Sequence, residues 1–597
     1  MNLRNKTTAL FNRYTISVNG RLFLASIIVG IIAGLGAIAF FMLLSKLSHF
    51  CLQILANYYP PEPAGEMSGF EPTGEPIRKW VLMILPMIGG LISGFLVFKF
   101  APEAEGHGTD AVIESFHHKR GMIRKRVPLI KAISSIITIG TGGSAGREGP
   151  IAQIGAGFGS YLATVLHLTD DERRTLLIAG AAGGIGAIFR SPLGGALFAV
   201  EVLYKRDFES KALIPCLVSS ITAFSIFASK YGFHAIFDIP DFIFTNPMEL
   251  IAYAGLGVFC SLFGYFYVKV FYGTRDHLFN KIKINRIFLP AIGGLMLGIM
   301  SLFAPHALAS GYGYLQEAMY GNLPIYFMLG AAILKVFATS FTVSSGGSGG
   351  VFAPSLFIGG MLGGAFGSLL TMVFPELGIN SAVFVLVGMG SFFAGTAKVP
   401  ISSMIMVSEM TGGYHLLVPM MIASSTSYLS LSRVSLYERQ VNRMADSPAH
   451  MGDFTIDVLD TLMVDQAYKP SVHTPVLRKD TPLRALQNMI SEKDNLNNFA
   501  VVDKDEIIGI ISLRDVRSVL FEDKVGTVLI AKDVMNAPIH VTPGESLNSA
   551  MKKFTNYGYE QIPVVDIRDH SKILGMLSHE DVTSAYNREI SKHKDKF

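Results

Sequence analysis

Cysteine is nearly missing from this chain: Cys51, Cys216 and Cys260 are the whole supply in 597 residues. Each sits in or beside an apolar run, which excludes a disulfide framework and a thiolate metal site. Charge is scarce as well. Only 16% of residues are Asp, Glu, Lys or Arg, against 50% hydrophobic. Between Arg21 and Tyr437, runs such as LFLASIIVGIIAGLGAIAFFMLL and WVLMILPMIGGLISGFLVF carry no charge at all. Soluble cores do not sustain such stretches, whereas ~20 apolar residues span a bilayer as a helix. No P-loop, metal-ligand cluster or Ser/His/Asp set lies outside the apolar region, which disfavours an enzyme and implies no required cofactor. The modest net charge of +4 gives no reason to expect a nucleic-acid partner.

Glycine, by contrast, is abundant at 60 residues, and its placement is informative. GGSAGREGP at Gly142–Pro150 is echoed by GGSGGVFAP at Gly346–Pro354. Each nonapeptide follows one apolar run and enters another. Downstream, Pro192 and Pro400 each precede an apolar segment with a lone glutamate at the same offset, Glu201 and Glu409. Two membrane-embedded halves broken by Gly-rich turns are the mark of an internally repeated transporter or channel. Such turns leave helix N-terminal amides unpaired, and these attract anions. The expected fold is an all-α polytopic membrane domain over 21–445, with repeat halves at about 21–235 and 248–437, after a short segment 1–20. The lipid bilayer is the expected partner. Basic loops at 117–126, 203–211 and 275–286 read as cytoplasmic, as do both termini, and the glutamate-bearing loop 58–76 as external. This makes the chain a multi-pass protein of the inner or plasma membrane.

Composition changes after Tyr437. A polar linker, 446–462, leads into segments of βαβ character at 463–520 and 530–590. NFAVVDKDEIIGIISLRDV is echoed by YEQIPVVDIRDHSKILGMLSHEDV. Each copy reads as strand, turn, strand and helix, with Ser512 and Asp515, or Ser578 and Asp581, at the mouth of the helix. Thr481 and Ser546 stand at the starts of two further matching helices. The pattern resembles a tandem pair of CBS domains, an α/β module. That resemblance implies an adenine nucleotide (ATP, ADP or AMP) in the cleft, with Ser512, Asp515, Ser578 and Asp581 as candidate contacts. The alternative is that the acids merely cap their helices.

In the apolar half, GREGP, GVFAP, the GHG from Gly106 and the SLY ending at Tyr437 resemble, in order and context, the CLC chloride channels and transporters. The resemblance implies a homodimer with one pore in each subunit and a bound chloride. It implies anion contacts from His107, Gly146, Arg147, Gly149, Val351, Phe352 and Tyr437, and a gating role for Glu148. An ionised Glu148 would mimic the anion and plug the site.

Two departures stand out. GHGTD puts His107 where many members have serine, and Asp110 where they have proline. In FAVEVLY the family's inner proton-relay position is Val202, which cannot titrate. The expectation from that loss is a passive chloride channel; the alternative is a Cl−/H+ antiporter with a non-standard inner proton route. Glu201 and Glu409 are expected to be structural, bonded to backbone or serine. Outside this class stand a CBS-regulated cation transporter and a non-transporting anion or nucleotide sensor. The faces GAAGGIGAIF and GGALF are expected to pack subunit against subunit.

Overall fold

The computed structural model describes residues 18–66, 75–239, 247–377, 380–432, 434–450, 458–470, 476–485, 498–504, 506–513, 516 and 529–594. They divide into two compact units, 1–449 and 450–597.

The first unit is helical, and its helices come in two matched series. The first series runs α1 (Val18–Ser48), α2 (Lys79–Phe100), α3 (Thr109–His118), α4 (Val127–Gly140), α5 (Glu148–Val165), α6 (Asp170–Ile188), α7 (Pro192–Glu201) and α8 (Leu213–Tyr231). The second runs α9 (Glu249–Gly273), α10 (Leu289–Ser301), α11 (Tyr312–Met319), α12 (Ile325–Val343), α13 (Phe352–Val373), α14 (Ser381–Ala397), α15 (Pro400–Thr411) and α16 (Leu417–Ser430). Among the described residues, six helical stretches are long and apolar enough to cross a membrane, and several partners in each series are shorter. Prolines at the first turn start α4, α7, α10 and α15, where the missing N–H costs nothing.

Small residues let these helices touch backbone to backbone. A Cβ on Gly155 would lie 2.1 Å from the Gly180 carbonyl, and one on Gly159 2.0 Å from that of Leu176. The second half repeats both contacts, with Gly359 against Gly388 and Gly363 against Phe384. The glycines of GAAGGIGAIF and GGALF make contacts of the same kind within the chain. Gly184 faces the Ile151 carbonyl, Gly195 lies on Gly186, and Gly194 on Met406. Small residues permit this close approach between helices of the chain.

The two halves also clasp one another. Glu201, the last residue of α7, accepts from Ile401 N (3.0 Å) and Ser402 N (2.7 Å) in the first turn of α15. Glu409 in α15 accepts from Ser191 Oγ (2.5 Å), Leu193 N (3.3 Å) and Gly194 N (2.8 Å) at the start of α7. Each carboxylate thus caps the helix corresponding to its own in the other half, the favoured end for a negative charge. Both glutamates take the structural part expected of them.

Among its described residues, the second unit carries two three-stranded sheets. One orders β2 (Val476–Arg478), β3 (Asn498–Asp503) and β4 (Glu506–Ser512); the other orders β1 (Lys469–Pro470), β6 (Ile573–Ser578) and β5 (Gln561–Val565). β1, which precedes the first repeat, pairs with β6 of the second, while Asn536 returns to bridge Ile510 of the first. Ser546 Oγ caps α18 (Leu547–Tyr557), after the short α17 (Ala531–Val534), and α19 (His579–Lys594) closes the unit.

Candidate functional site

The two Gly-rich turns meet face to face. Gly146 and Gly350 exchange both backbone hydrogen bonds, each 2.7 Å, as one antiparallel bridge. Immediately after it, α5 opens at Glu148 and α13 at Phe352. Two helix N-termini therefore converge on one buried point.

Glu148 occupies that point. It is 3% exposed, and its Oε1 accepts from Phe352 N at 2.5 Å, with the Ala353 amide also facing it. Its Oε2 has no partner. The flanking glycines are required by this carboxylate, since a Cβ on Gly146 would sit 2.0 Å from Oε2 and one on Gly350 2.1 Å from Oε1. Gly149 has its own constraint: a Cβ there would lie 1.7 Å from the His107 carbonyl.

The remaining expected residues sort themselves around it. Phe352 gives its amide to the site and its ring to an aromatic cluster, 4.5 Å from Phe393 and 4.9 Å from Phe189. Val351 is buried as the residue before α13. Tyr437 is fully buried, its hydroxyl has no partner, and its ring lies 5.4 Å from that of His107. The two residues that depart from the family pattern pair with each other: His107 Nε2 is 3.3 Å from Asp110 Oδ2. That leaves His107 Nδ1 buried and unpartnered. Arg147 turns the other way, gripping Glu66 with both Nη atoms (2.5 and 3.0 Å) beneath Phe41, Phe189 and Tyr312. Its guanidinium is taken up by Glu66, while its charge is still felt at Glu148. The Glu66 carboxylate out-competes a diffusible anion for the fork.

Sequence reading missed four features. Lys131 in α4 is buried and donates to Ala104 O (3.0 Å) and Gly106 O (2.6 Å). Lys335 in α12 does the same with Ala307 O (3.2 Å) and Ala309 O (2.6 Å). A lone lysine in the apolar run before each Gly-rich turn was the available signal. Tyr267 of α9, fully buried with an unpartnered hydroxyl, lies in the electrostatic field of Glu148 and had no motif to betray it. The fourth is a cluster at the end of α7. Val202 is buried there, its carbonyl held by Gln440 Nε2 at 3.0 Å, and Tyr204 Oη donates to buried Glu209 at 2.8 Å. A position that lost its carboxylate is thus not remote from every carboxylate.

At the CBS-like pair, Ser578 and Asp581 cap α19 reciprocally: Asp581 N donates to Ser578 Oγ, and Ser578 N and Oγ to Asp581 Oδ2. Asp581 Oδ1 is 2.8 Å from Lys469 Nζ. Burial pushes the Asp581 carboxyl up, but Lys469 and Ser578 outweigh that and hold it below the usual carboxylate range. Ser512 ends β4, buried and opposite Asn498. Asp515 lies outside the described residues.

A family model described as voltage gated chloride channel matches residues 89–432, and CBS-domain models match 469–522 and 531–588. A putative chloride channel protein ClcB-like of Ralstonia nicotianae is 30% identical over 64% of this chain and 90% of its own length. The H(+)/Cl(-) exchange transporter ClcA of Cronobacter sakazakii is 33% identical over 58% of this chain and 75% of its own. The solved structure of a slow cyanobacterial Cl-/H+ antiporter superposes with a TM-score of 0.62 at 23% identity, covering 69% of this chain and 94% of that one. The exchange transporters among these relatives overturn the passive channel expected from Val202: one apolar side chain says nothing about titratable groups that the fold returns to the same place. By the span of the family model, and with the CBS pair behind it, this multi-pass membrane protein belongs to the voltage gated chloride channel (CLC) family.

Proposed function

We infer that the protein exchanges chloride for protons, with one pathway in each subunit of a homodimer, and that Glu148 is the residue on which both ions act. The observation that carries this is the seat of its carboxylate. The Glu148 carboxyl group occupies the amides at the mouth of α13, where a helix N-terminus favours negative charge. Chloride and the ionised side chain compete for that seat. A proton on Glu148 weakens its hold there, so protonation favours chloride entry, and chloride entry favours protonation by the same factor. The hydroxyls of Tyr267 and Tyr437, buried without partners, are donors suited to a chloride beside the carboxylate. Neutral donors and amides hold a halide without trapping it. The relatives named as exchange transporters support the same reading. At the CBS pair, a nucleotide ribose would have to displace Lys469 from Asp581, a regulatory contact that nucleotide titration of the flux would detect.

The test is purified protein in liposomes, with a chloride gradient and an external pH electrode. Uphill proton movement in step with chloride is expected. Glu148→Ala should abolish proton movement and leave chloride flux running. Chloride flux with no proton movement in the unsubstituted protein would refute exchange.

A further inference from the structure

Family resemblance leaves the cytoplasmic end of the proton route empty at Val202, and the fold fills the space around it in another way. After α7 the chain passes through exposed Arg206 and Asp207 and then turns back inward. Glu209 N donates to Val200 O at 3.1 Å, which places Glu209 against the last turn of α7 with only 3% exposure. From the last turn of α3, His117, 1% exposed, sets Nε2 3.0 Å from Leu203 O. Its ring stands edge-on to Tyr204 at 5.3 Å.

The polar atoms of these residues form one chain. His117 Nδ1 is 2.7 Å from Ser447 Oγ. Tyr204 stands next in the row: its ring lies against that of His117, the Ser447 hydroxyl acts on its phenol, and its Oη donates to Glu209 Oε2 at 2.8 Å. Imidazole, hydroxyl, phenol and carboxylate follow in order, and every one of them can accept one proton while passing on another. The chain is buried by one layer only, because His118, Lys119, Asp207 and Asp446 beside it in sequence are exposed. Other titratable groups near it are Cys216 and Asp207, both in the field of the same residues.

We propose that His117, Ser447, Tyr204 and Glu209 form the cytoplasmic proton-transfer station of this exchanger, in place of the carboxylate that Val202 lacks. The inference rests on the exchange reading above. A proton from cytoplasmic water binds at one end, His117 or Glu209. Tyr204 and Ser447 relay it without net charge, each gaining one proton as it gives up another, and the far end releases it beside the end of α7. A purely structural network would need only one fixed proton arrangement. A route for protons needs two titratable ends joined by amphoteric links, which is what stands here. A relay lowers the several kcal/mol that an unassisted charge meets in the bilayer interior.

The experiment is simultaneous recording of chloride and proton flux from the full-length protein in liposomes. Glu209→Gln and His117→Gln should keep chloride flux within about threefold while proton movement falls by at least about tenfold, the scale of a lost proton-transfer group. Tyr204→Phe keeps the ring, cuts the chain and should give the same split. Adding Val202→Glu to Glu209→Gln should restore proton movement, a rescue that a merely structural role would not show. Wild-type proton-to-chloride ratios in His117→Gln, Glu209→Gln and Tyr204→Phe would overturn the proposal, and so would an equal loss of both fluxes in all three. If the unsubstituted protein moves no protons uphill, the exchange reading fails first and takes this one with it. If it does and the substitutions leave the ratio unchanged, only the station is wrong.

Discussion

At the mouth of α5 the residue after the Gly-rich bridge is Glu148; at the equivalent place in α13 it is Phe352. The backbones match down to the paired hydrogen bonds of Gly146 and Gly350, yet one half brings a titratable anion and the other brings a bare amide to receive it. Symmetry builds the seat, and the departure from symmetry puts a carboxyl group into it. The same division holds nearby. Lys131 and Lys335 do one job twice, whereas His107, in the turn before α3, corresponds to Ser310 before α11 and is the one that pairs with an acid. Shared residues maintain the scaffold, and unshared ones carry the chemistry.

The sharpest way to break this comparison is Gly350→Ala. Its Cβ would lie 2.1 Å from the Glu148 carboxylate and 2.9 Å from Gly149 N, so it would push the carboxylate out of its seat and crowd the bridged backbone. Coupled proton and chloride flux in liposomes should collapse, with overpacking costing about 1–3 kcal/mol in stability besides. Second comes the clasp. Glu409→Gln and Glu201→Gln each weaken charge-assisted hydrogen bonds at a partly buried helix start, which contribute about 1.5–3 kcal/mol. Because Glu409 accepts from three donors and Glu201 from two, thermal unfolding in detergent should show the larger loss for Glu409→Gln. Third, Lys131→Met and Lys335→Met should destabilise alike, by about 1–3 kcal/mol for two buried carbonyls left without their donor. Only Lys131 lies in the field of Glu148, so only Lys131→Met should also change chloride affinity by calorimetry. The smallest effect belongs to the CBS pair. The Asp581 carboxyl is held low, so its stabilising contribution is present above its unfolded value of about 3.9 and fades as pH falls through the lower folded value. Hydrogen exchange along α19 should quicken over that acid window, and Asp581→Asn should remove the pH dependence while lowering protection at neutral pH.

Much of this was legible because repeats announce themselves. The doubled nonapeptide located both helix mouths, and matching prolines and glutamates located α7 and α15. Glu148 stood out as a carboxylate with no polar surroundings to excuse it. What stayed hidden was pairing between residues distant in sequence. Nothing in the run of residues says that Arg147 will find Glu66, or that Ser447 will lie against His117. The His107–Asp110 contact spans three residues at a helix start, a spacing that the sequence itself displays. Val202 misleads for a related reason: a residue that cannot titrate says nothing about the side chains folded against it.

The reciprocal caps of Glu201 and Glu409 carry a last consequence. Cut the chain between α8 and α9, and the clasp becomes a contact between two separate molecules, residue i of one on residue j of the other and the converse. That is an isologous interface, the form taken when two copies of one unit meet across a two-fold axis. Neither half can satisfy its own helix start, so each is an incomplete protein whose missing ligand is its twin. The loop joining them converts that encounter from a matter of concentration into one of tethering, and leaves each copy free to change its side chains without losing its mate.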